Sequence, residues 1–177
     1  VNEPLRLENF ADYQRVFGGL WGMSPLSFAV EQYFAQGGKV AIVVRAINGG
    51  QGASLSLPAG DDFLRLRARD PGTHEAIRAS VDFDGIESSD TGTFNLVVQR
   101  LIQPGSERVL DQESYRGVSV SDDHERRIDA LLADSRLVFL EGSVPSVRPD
   151  RTPPATPEKH IGYQAARRDG DDGEPLT

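Results

Sequence analysis

The chain has 177 residues, with 19 basic and 27 acidic side chains, so its formal net charge is −8. This balance argues against general nucleic-acid binding, because neutralising phosphates requires clustered Lys and Arg. The chain contains no cysteine, which excludes disulfides, thiolate metal sites and cysteine nucleophiles.

The beginning of the chain predicts a strand and then a short helix. Residues 4–7 fit a strand, and Asn9 is a candidate N-cap for a helix that ends near Phe17. Phe10 and Tyr13 lie on one helical face with Phe17. The first residue is Val, so we expect the chain to begin inside a longer protein. No signal peptide is evident, and no segment reaches the roughly 18 apolar residues of a transmembrane helix, so we predict no membrane insertion.

Residues 24–45 are the strongest structural pattern in the chain. Ser24 is a candidate cap for a helix with Pro25 at its first position, and the glycine pair 37–38 ends it. The apolar helix positions recur at helical spacing, at Leu26, Ala29, Val30, Tyr33 and Phe34. The apolar run 40–44 then predicts a strand covered on both faces, as in the middle of an α/β sheet.

Two features beside this unit admit a functional reading. The only Trp and the only Met, Trp21 and Met23, favour packing under a loop, with a ligand-binding aromatic as the alternative. Asn48 begins a glycine-rich segment that ends at Gly52. It lacks the spacing of a phosphate-binding loop, and no helix follows it, so we favour a plain loop.

Residues 54–120 predict antiparallel strands joined by turns. Alternating apolar and polar positions recur in three segments, 54–57, 63–69 and 77–83. Residues 93–103 form a longer apolar strand, and residues 109–120 are irregular or strand-like.

Three arginines alternate along one predicted strand, at Arg65, Arg67 and Arg69. One interpretation is an anion-binding or subunit-contact face. The other, which we favour, is a solvated sheet face with cross-strand partners in Asp82 and Asp84. Exposed pairs of this kind contribute roughly 0–1 kcal/mol each.

A second helix–strand unit follows the β-rich stretch. Asp122 is a candidate cap for a helix to about Ala133, and residues 136–140 predict a strand. Two helix–strand units favour crossover connections and a mixed sheet with parallel members. We therefore predict an α/β (mixed α+β) fold, with helices packed on a mixed sheet and an antiparallel β-rich stretch.

The composition changes near residue 144. Six of the eleven prolines lie between Pro145 and Pro175, so residues 144–177 predict a Pro-rich, polar linker or tail after a core at 1–143. Residues 149–157 should be extended or disordered, whereas Ile161 and Tyr163 are candidates to dock on the core. The acidic run 169–174 resembles a calcium loop but lacks the EF-hand spacing, so we do not favour calcium.

No catalytic, cofactor-binding or metal-binding constellation emerges from the residue types and their spacing. His74, His124 and His160 lie far apart, and none belongs to a paired-histidine motif. The carboxylates between Asp82 and Asp90 fall in a predicted turn, where solvated acids are ordinary. We therefore predict no catalytic residues, no cofactor and no metal, and a protein that is not an enzyme.

The order of motifs resembles the sheath proteins of contractile phage tails and related injection machines. Residues 7–18 read LENFADYQRVFG, and residues 26–45 read LSFAVEQYFAQGGKVAIVVR, which is similar to the family's helix–Gly-Gly–strand unit. Residues 66–73, LRARDPGT, are similar to its Ala-x-x-Pro-Gly-Thr turn, although His74 replaces the Trp common in the family. Residues 169–177, DGDDGEPLT, are similar to a later Leu-Thr segment.

This resemblance implies structural work rather than catalysis. Sheath subunits stack as hexameric rings around an inner tube and contract to drive it through a target envelope. The implied partners are other sheath subunits, the inner tail tube protein and the baseplate, and the implied location is the virion tail, assembled in the bacterial host cytoplasm. The resemblance also implies a fragment without the family's N-terminal arm and C-terminal portion. Phage, bacteriocin and other injection devices remain open.

Two other functions remain open from the sequence. The β-rich residues 54–120 could form a surface-exposed binding module for carbohydrate or a cell surface. A small nucleotide-binding α/β enzyme that uses Gly49–Gly52 is a further alternative.

Overall fold

A computed structural model describes residues 4–22, 24–73, 75–154 and 162–174. The predictions that concern Met23, His74, His160 and Ile161 lie outside these residues. The chain divides into two compact units, unit 1 (Val1–Ile47) and unit 2 (Asn48–Thr177).

Unit 1 contains a two-stranded antiparallel sheet and two helices. Its elements are β1 (Pro4–Leu7), α1 (Phe10–Phe17), α2 (Leu26–Ala35) and β2 (Ala41–Val44). The predicted cap of α1 is confirmed, because Asn9 Oδ1 accepts a hydrogen bond of 2.8 Å from the Asp12 N–H. The small core consists of Leu7, Tyr13, Val30 and Val43, with Phe10, Phe17 and Phe34 packed against it.

Unit 2 contains two antiparallel sheets and one short helix. Its elements are β3 (Ser54–Ala59), β4 (Asp62–Ala68), β5 (Ile77–Asp82), β6 (Thr93–Leu101), β7 (Val109–Ser119), α3 (Ile128–Ala133), β8 (Val138–Leu140) and β9 (Gln164–Ala165). The strand orders are β3-β4-β8 and β7-β6-β5-β9. Both sheets contribute to one apolar core, whose largest side chain is the fully buried Phe94.

The fold is mixed α and β with a predominance of sheet, and the predicted parallel strands are wrong. Every paired strand in the described part of the chain is antiparallel. The helix–strand units do not form crossovers, because α2 leads into β2, which pairs with β1, and α3 leads into β8, which pairs with β4. The expected α/β sheet with parallel members is therefore replaced by three antiparallel sheets.

Residues 144–154 and 162–174, here called the strap, lie along unit 2. The Asp150 N–H donates to Pro58 O at 2.7 Å, and the Arg167 N–H donates to Ser54 O at 2.7 Å. Thr152 is buried, and its hydroxyl joins the Val81 backbone to Gly162 O. The compact units divide after Ile47, and the boundary expected at 143 stays a prediction.

Candidate interaction surface

Unit 1 has an apolar cavity of about 380 Å³ beside an open sheet. Its walls come from α1, the α1–α2 connection, the first turn of α2 and the end of β2. The lining residues include Tyr13, Phe17, Trp21, Leu26, Ser27 and Val44. Trp21 is 62% exposed and lines the cavity wall. The favoured prediction, that this ring packs under a loop, is therefore wrong.

A small hydrogen-bond network fixes the connection that forms one cavity wall. The Trp21 N–H donates to Ser27 Oγ at 3.0 Å, and the Ser24 N–H donates to Trp21 O at 3.1 Å. Ser24 Oγ accepts from the Leu26 N–H at 3.3 Å, so Ser24 contacts the helix start as expected, although Pro25 is the N-cap residue. Ser27 is buried, and its role could not be predicted because a lone Ser early in a helix is ordinary.

The other end of α2 is joined to β2 by a tyrosine. The Tyr33 hydroxyl donates to Val40 O at 2.8 Å. The Tyr33 ring lies over Gly38, where a Cβ atom would come within 2.4 Å of the ring. The predicted helix stop is confirmed at Gly37, whose φ of +90° is a conformation that favours glycine.

The outer face of the two-stranded sheet is apolar and exposed. Opposed residues share a face, so Ile42 and Val44 lie on the side opposite the buried Val43. Ile42 is 69% exposed. The prediction of a strand covered on both faces is therefore wrong, because no described residue of unit 1 covers this face.

The free edges of this sheet are also available for pairing. Among the described residues, β1 and β2 pair only with each other. Each therefore presents unpaired backbone donors and acceptors along its outer edge, and such edges can pair with another strand. The cavity, the outer face and the two edges together form what we call the open surface of unit 1.

The arginine stripe on β4 is not part of an open anion site. Arg65 pairs with Asp62 at 3.1 Å, and Arg67 pairs with Glu141 at 2.6 Å. Arg69 donates to Ala133 O at 2.8 Å, where it satisfies a carbonyl at the end of α3. The Arg65 pair thus lies within β4, whereas Arg67 and Arg69 join β4 to neighbouring elements of unit 2.

The carboxylates predicted as cross-strand partners of that stripe bind elsewhere. Asp82 accepts a hydrogen bond of 2.7 Å from Asn95 Nδ2, and Asp84 pairs with Arg151 at 2.9 Å. Asp90 Oδ1 accepts hydrogen bonds from the backbone N–H groups of Gly92 and Thr93. Hydrogen bonds from Thr93 and from the backbone of Gly92 lower the pKa of Asp90. These acids are turn-forming residues, and they do not converge on one another as a catalytic pair.

Two other side chains of unit 2, Arg100 and Tyr115, have shifted pKa values and have structural roles. Burial opposes the charge of Arg100, yet the carboxylates of Glu75 and Asp70, at 2.7 and 2.9 Å, raise its pKa. Burial raises the pKa of Tyr115 to about 12, and its hydroxyl donates to Glu113. Neither group faces a described cavity.

The glycine-rich loop and the acidic run 169–174 contact each other. The Gln51 N–H donates to Asp171 O, so it is not free to bind a phosphate. Asp169 accepts hydrogen bonds from Ser54, and Asp172 accepts from the N–H and hydroxyl of Thr73. In the described part of the chain, no group of three or more His, Asp or Glu side chains is placed to hold a metal ion.

Comparison with protein families and with curated proteins finds no relative. No protein-family model matches the sequence, and no curated protein is similar to it at a significant level. No helix in the described ranges is long and apolar enough to span a membrane.

Proposed function

We propose that this chain is part of a structural subunit of a contractile tail sheath. The subunit assembles around an inner tube with other copies of itself, contacts the tube protein and the baseplate, and contracts to drive the tube through a target envelope. It is located in the virion tail and is assembled in the bacterial host cytoplasm. It is not an enzyme and uses no cofactor. The motifs at 7–18 and 26–45 supply the family resemblance.

The open surface of unit 1 carries this proposal. Sixteen large hydrophobic side chains are exposed in the described residues, and ten of them lie between Leu5 and Val44. Clustered apolar exposure on this scale marks an interaction site, because water contact with apolar surface is unfavourable. A subunit that functions only in an assembly has a reason to retain such a surface.

The distribution of charge agrees with a buried role for unit 1. Residues 1–47 contain four basic and four acidic side chains, so this region is neutral. Residues 48–177 contain fifteen basic and twenty-three acidic side chains, and the whole net charge of −8 belongs to them. Interface cores are depleted in charge, whereas net charge favours contact with water.

Electron microscopy of the whole gene product tests the proposal. We expect tubes of stacked rings when it is expressed with the tube protein. Ile42→Lys should abolish tubes while the protein stays folded, because it places a charge on the outer face of β2. The matched control is Ile102→Lys, since Ile102 is an exposed isoleucine in unit 2. A wild-type product that remains monomeric with the tube protein present would refute the assembly role.

A further inference from the structure

The two ends of unit 2 lie against each other. Asn48 is opposite Glu174, and Gln51 is opposite Asp171, in antiparallel bridges. Gln51 lies three residues after Asn48, and Asp171 lies three residues before Glu174. Both bridges therefore fit a single antiparallel register. Three backbone hydrogen bonds join them, Glu174 N–H to Asn48 O at 2.8 Å, Gln51 N–H to Asp171 O at 3.0 Å and Asp171 N–H to Gln51 O at 2.8 Å. We call residues 48–51 and 171–174 the stem.

Two carboxylates in this part of the strap bond to segments beside residues 48–51. Asp169 accepts from the N–H and the hydroxyl of Ser54, and Asp172 accepts from the N–H and the hydroxyl of Thr73. Carboxylates that accept hydrogen bonds are stronger acceptors than neutral oxygens. The end of the strap is thereby joined to the start of β3 at Ser54 and to the β4–β5 connection at Thr73.

Glycine is required where the two stem segments meet. Gly173 has a φ of +79°, and a Cβ atom there would come within 2.3 Å of Asn48 O. Gly85 has the same φ, but no atom would lie within 4 Å of its Cβ. Gly173 therefore serves the close approach of two backbones as well as a turn conformation.

We infer that residues 48–174 are an autonomous module, which the chain enters and leaves through one point, closed by the stem. Each of its sheets is completed inside the module, and its core contains no residue of unit 1. Adjacent ends are typical of domains that tolerate insertion and circular permutation. The module should keep its structure when unit 1 loses its own, whatever the function of the whole protein.

The autonomy is tested in the full chain with Val43→Asp, which puts a carboxylate into the small core of unit 1. We expect amide exchange to become fast in β2, while the amides of β5 and β6 keep their protection within about a factor of three. Equal loss of protection in both units would overturn the autonomy. If this variant aggregates, Val43→Ala gives the same comparison with a milder change.

The stem is tested with Gly173→Ala against Gly85→Ala. Both variants pay the cost of a left-handed alanine, but only the first clashes with Asn48 O. We expect amide exchange of Gln51 and Asp171 to rise by about tenfold or more in Gly173→Ala and to stay unchanged in Gly85→Ala. Equal exchange in the two variants would show that no closed stem exists.

Discussion

Units 1 and 2 differ in how far the edges of their sheets are protected. In unit 2, the strap hydrogen-bonds to the edge strand β3 at Ser54 and Pro58. The edge strand β7 instead carries charged side chains, two of which pair with Arg136, and such charges disfavour pairing with another strand. In unit 1, the described residues leave both edges of the β1–β2 sheet unpaired and its outer face apolar. Protected edges prevent association, and open edges invite it. Under the proposed function, unit 2 stays in contact with water and unit 1 is covered by a neighbouring subunit.

The largest effect that would test this comparison is a cavity in the core of unit 2. Phe94 is fully buried, so Phe94→Ala should lower the free energy of unfolding of this unit by about 3–5 kcal/mol. Urea unfolding followed by amide exchange in β5 and β6 measures it. Phe63→Ala is the control, because Phe63 is 40% exposed and should cost far less. Similar losses in both variants would mean that the core is misplaced.

A smaller effect is expected at the buried threonine of the strap. Thr152→Val keeps the shape but removes the hydroxyl that bonds the Val81 backbone and Gly162 O, so it should cost about 1–3 kcal/mol. Thr152→Ser keeps the hydroxyl and should restore most of that loss. If valine proves no worse than serine in thermal unfolding, the strap is not held by this side chain.

Arg148 joins the strap to the β5–β6 turn. Its Nη1 donates to Asp90 O at 2.7 Å and Thr93 O at 2.8 Å, and its guanidinium lies 3.8 Å from the centre of the Phe83 ring. We expect Arg148→Lys to cost about 1 kcal/mol, because an ammonium cannot reproduce the planar contact. Faster amide exchange across residues 84–92 is the measurement, with Arg168→Lys as the exposed control. Unchanged exchange in that turn would contradict the role.

The smallest expected effect is a dependence on acid. Burial disfavours the charged form of Asp169, but hydrogen bonds from the side chain and backbone of Ser54 outweigh it and lower its pKa. A lowered folded-state pKa gives stability that is present above the unfolded value, near 3.9, and lost as the pH falls through the folded value. Asp169→Asn should flatten the fall in unit 2 stability below about pH 5. An identical pH profile in chemical denaturation would exclude this contribution.

Single strands and helix ends could be predicted from the sequence because alternation and capping depend on residues close together in the chain. The alternation in residues 63–69 places Leu64, Leu66 and Ala68 in the core, as expected. The Asn9 cap was correct, whereas the Asp122 cap was wrong, and α3 begins only at Ile128. The Ser119 N–H bonds Arg126 O at 3.0 Å, which holds the intervening residues in a turn instead of a helix.

Pairings between distant parts of the chain could not be predicted. Arg67 and Glu141 are 74 positions apart, and Arg69 and Ala133 are 64 positions apart, so alternation alone pointed to nearer acids. The open surface was missed for a related reason. An unbroken apolar run such as residues 40–44 is typical of a buried strand, and a sequence does not distinguish a strand buried within its own unit from one left for a partner to cover.

The position of Trp21 gives the protein an internal optical reporter. It is the only Trp in the chain, and its ring is largely in water while it lines the cavity of unit 1. Indole emission moves to shorter wavelength when water is replaced by apolar contacts. Coverage of the open surface should therefore shift the intrinsic fluorescence of the unlabelled protein to the blue, and assembly could be followed in real time in a cuvette.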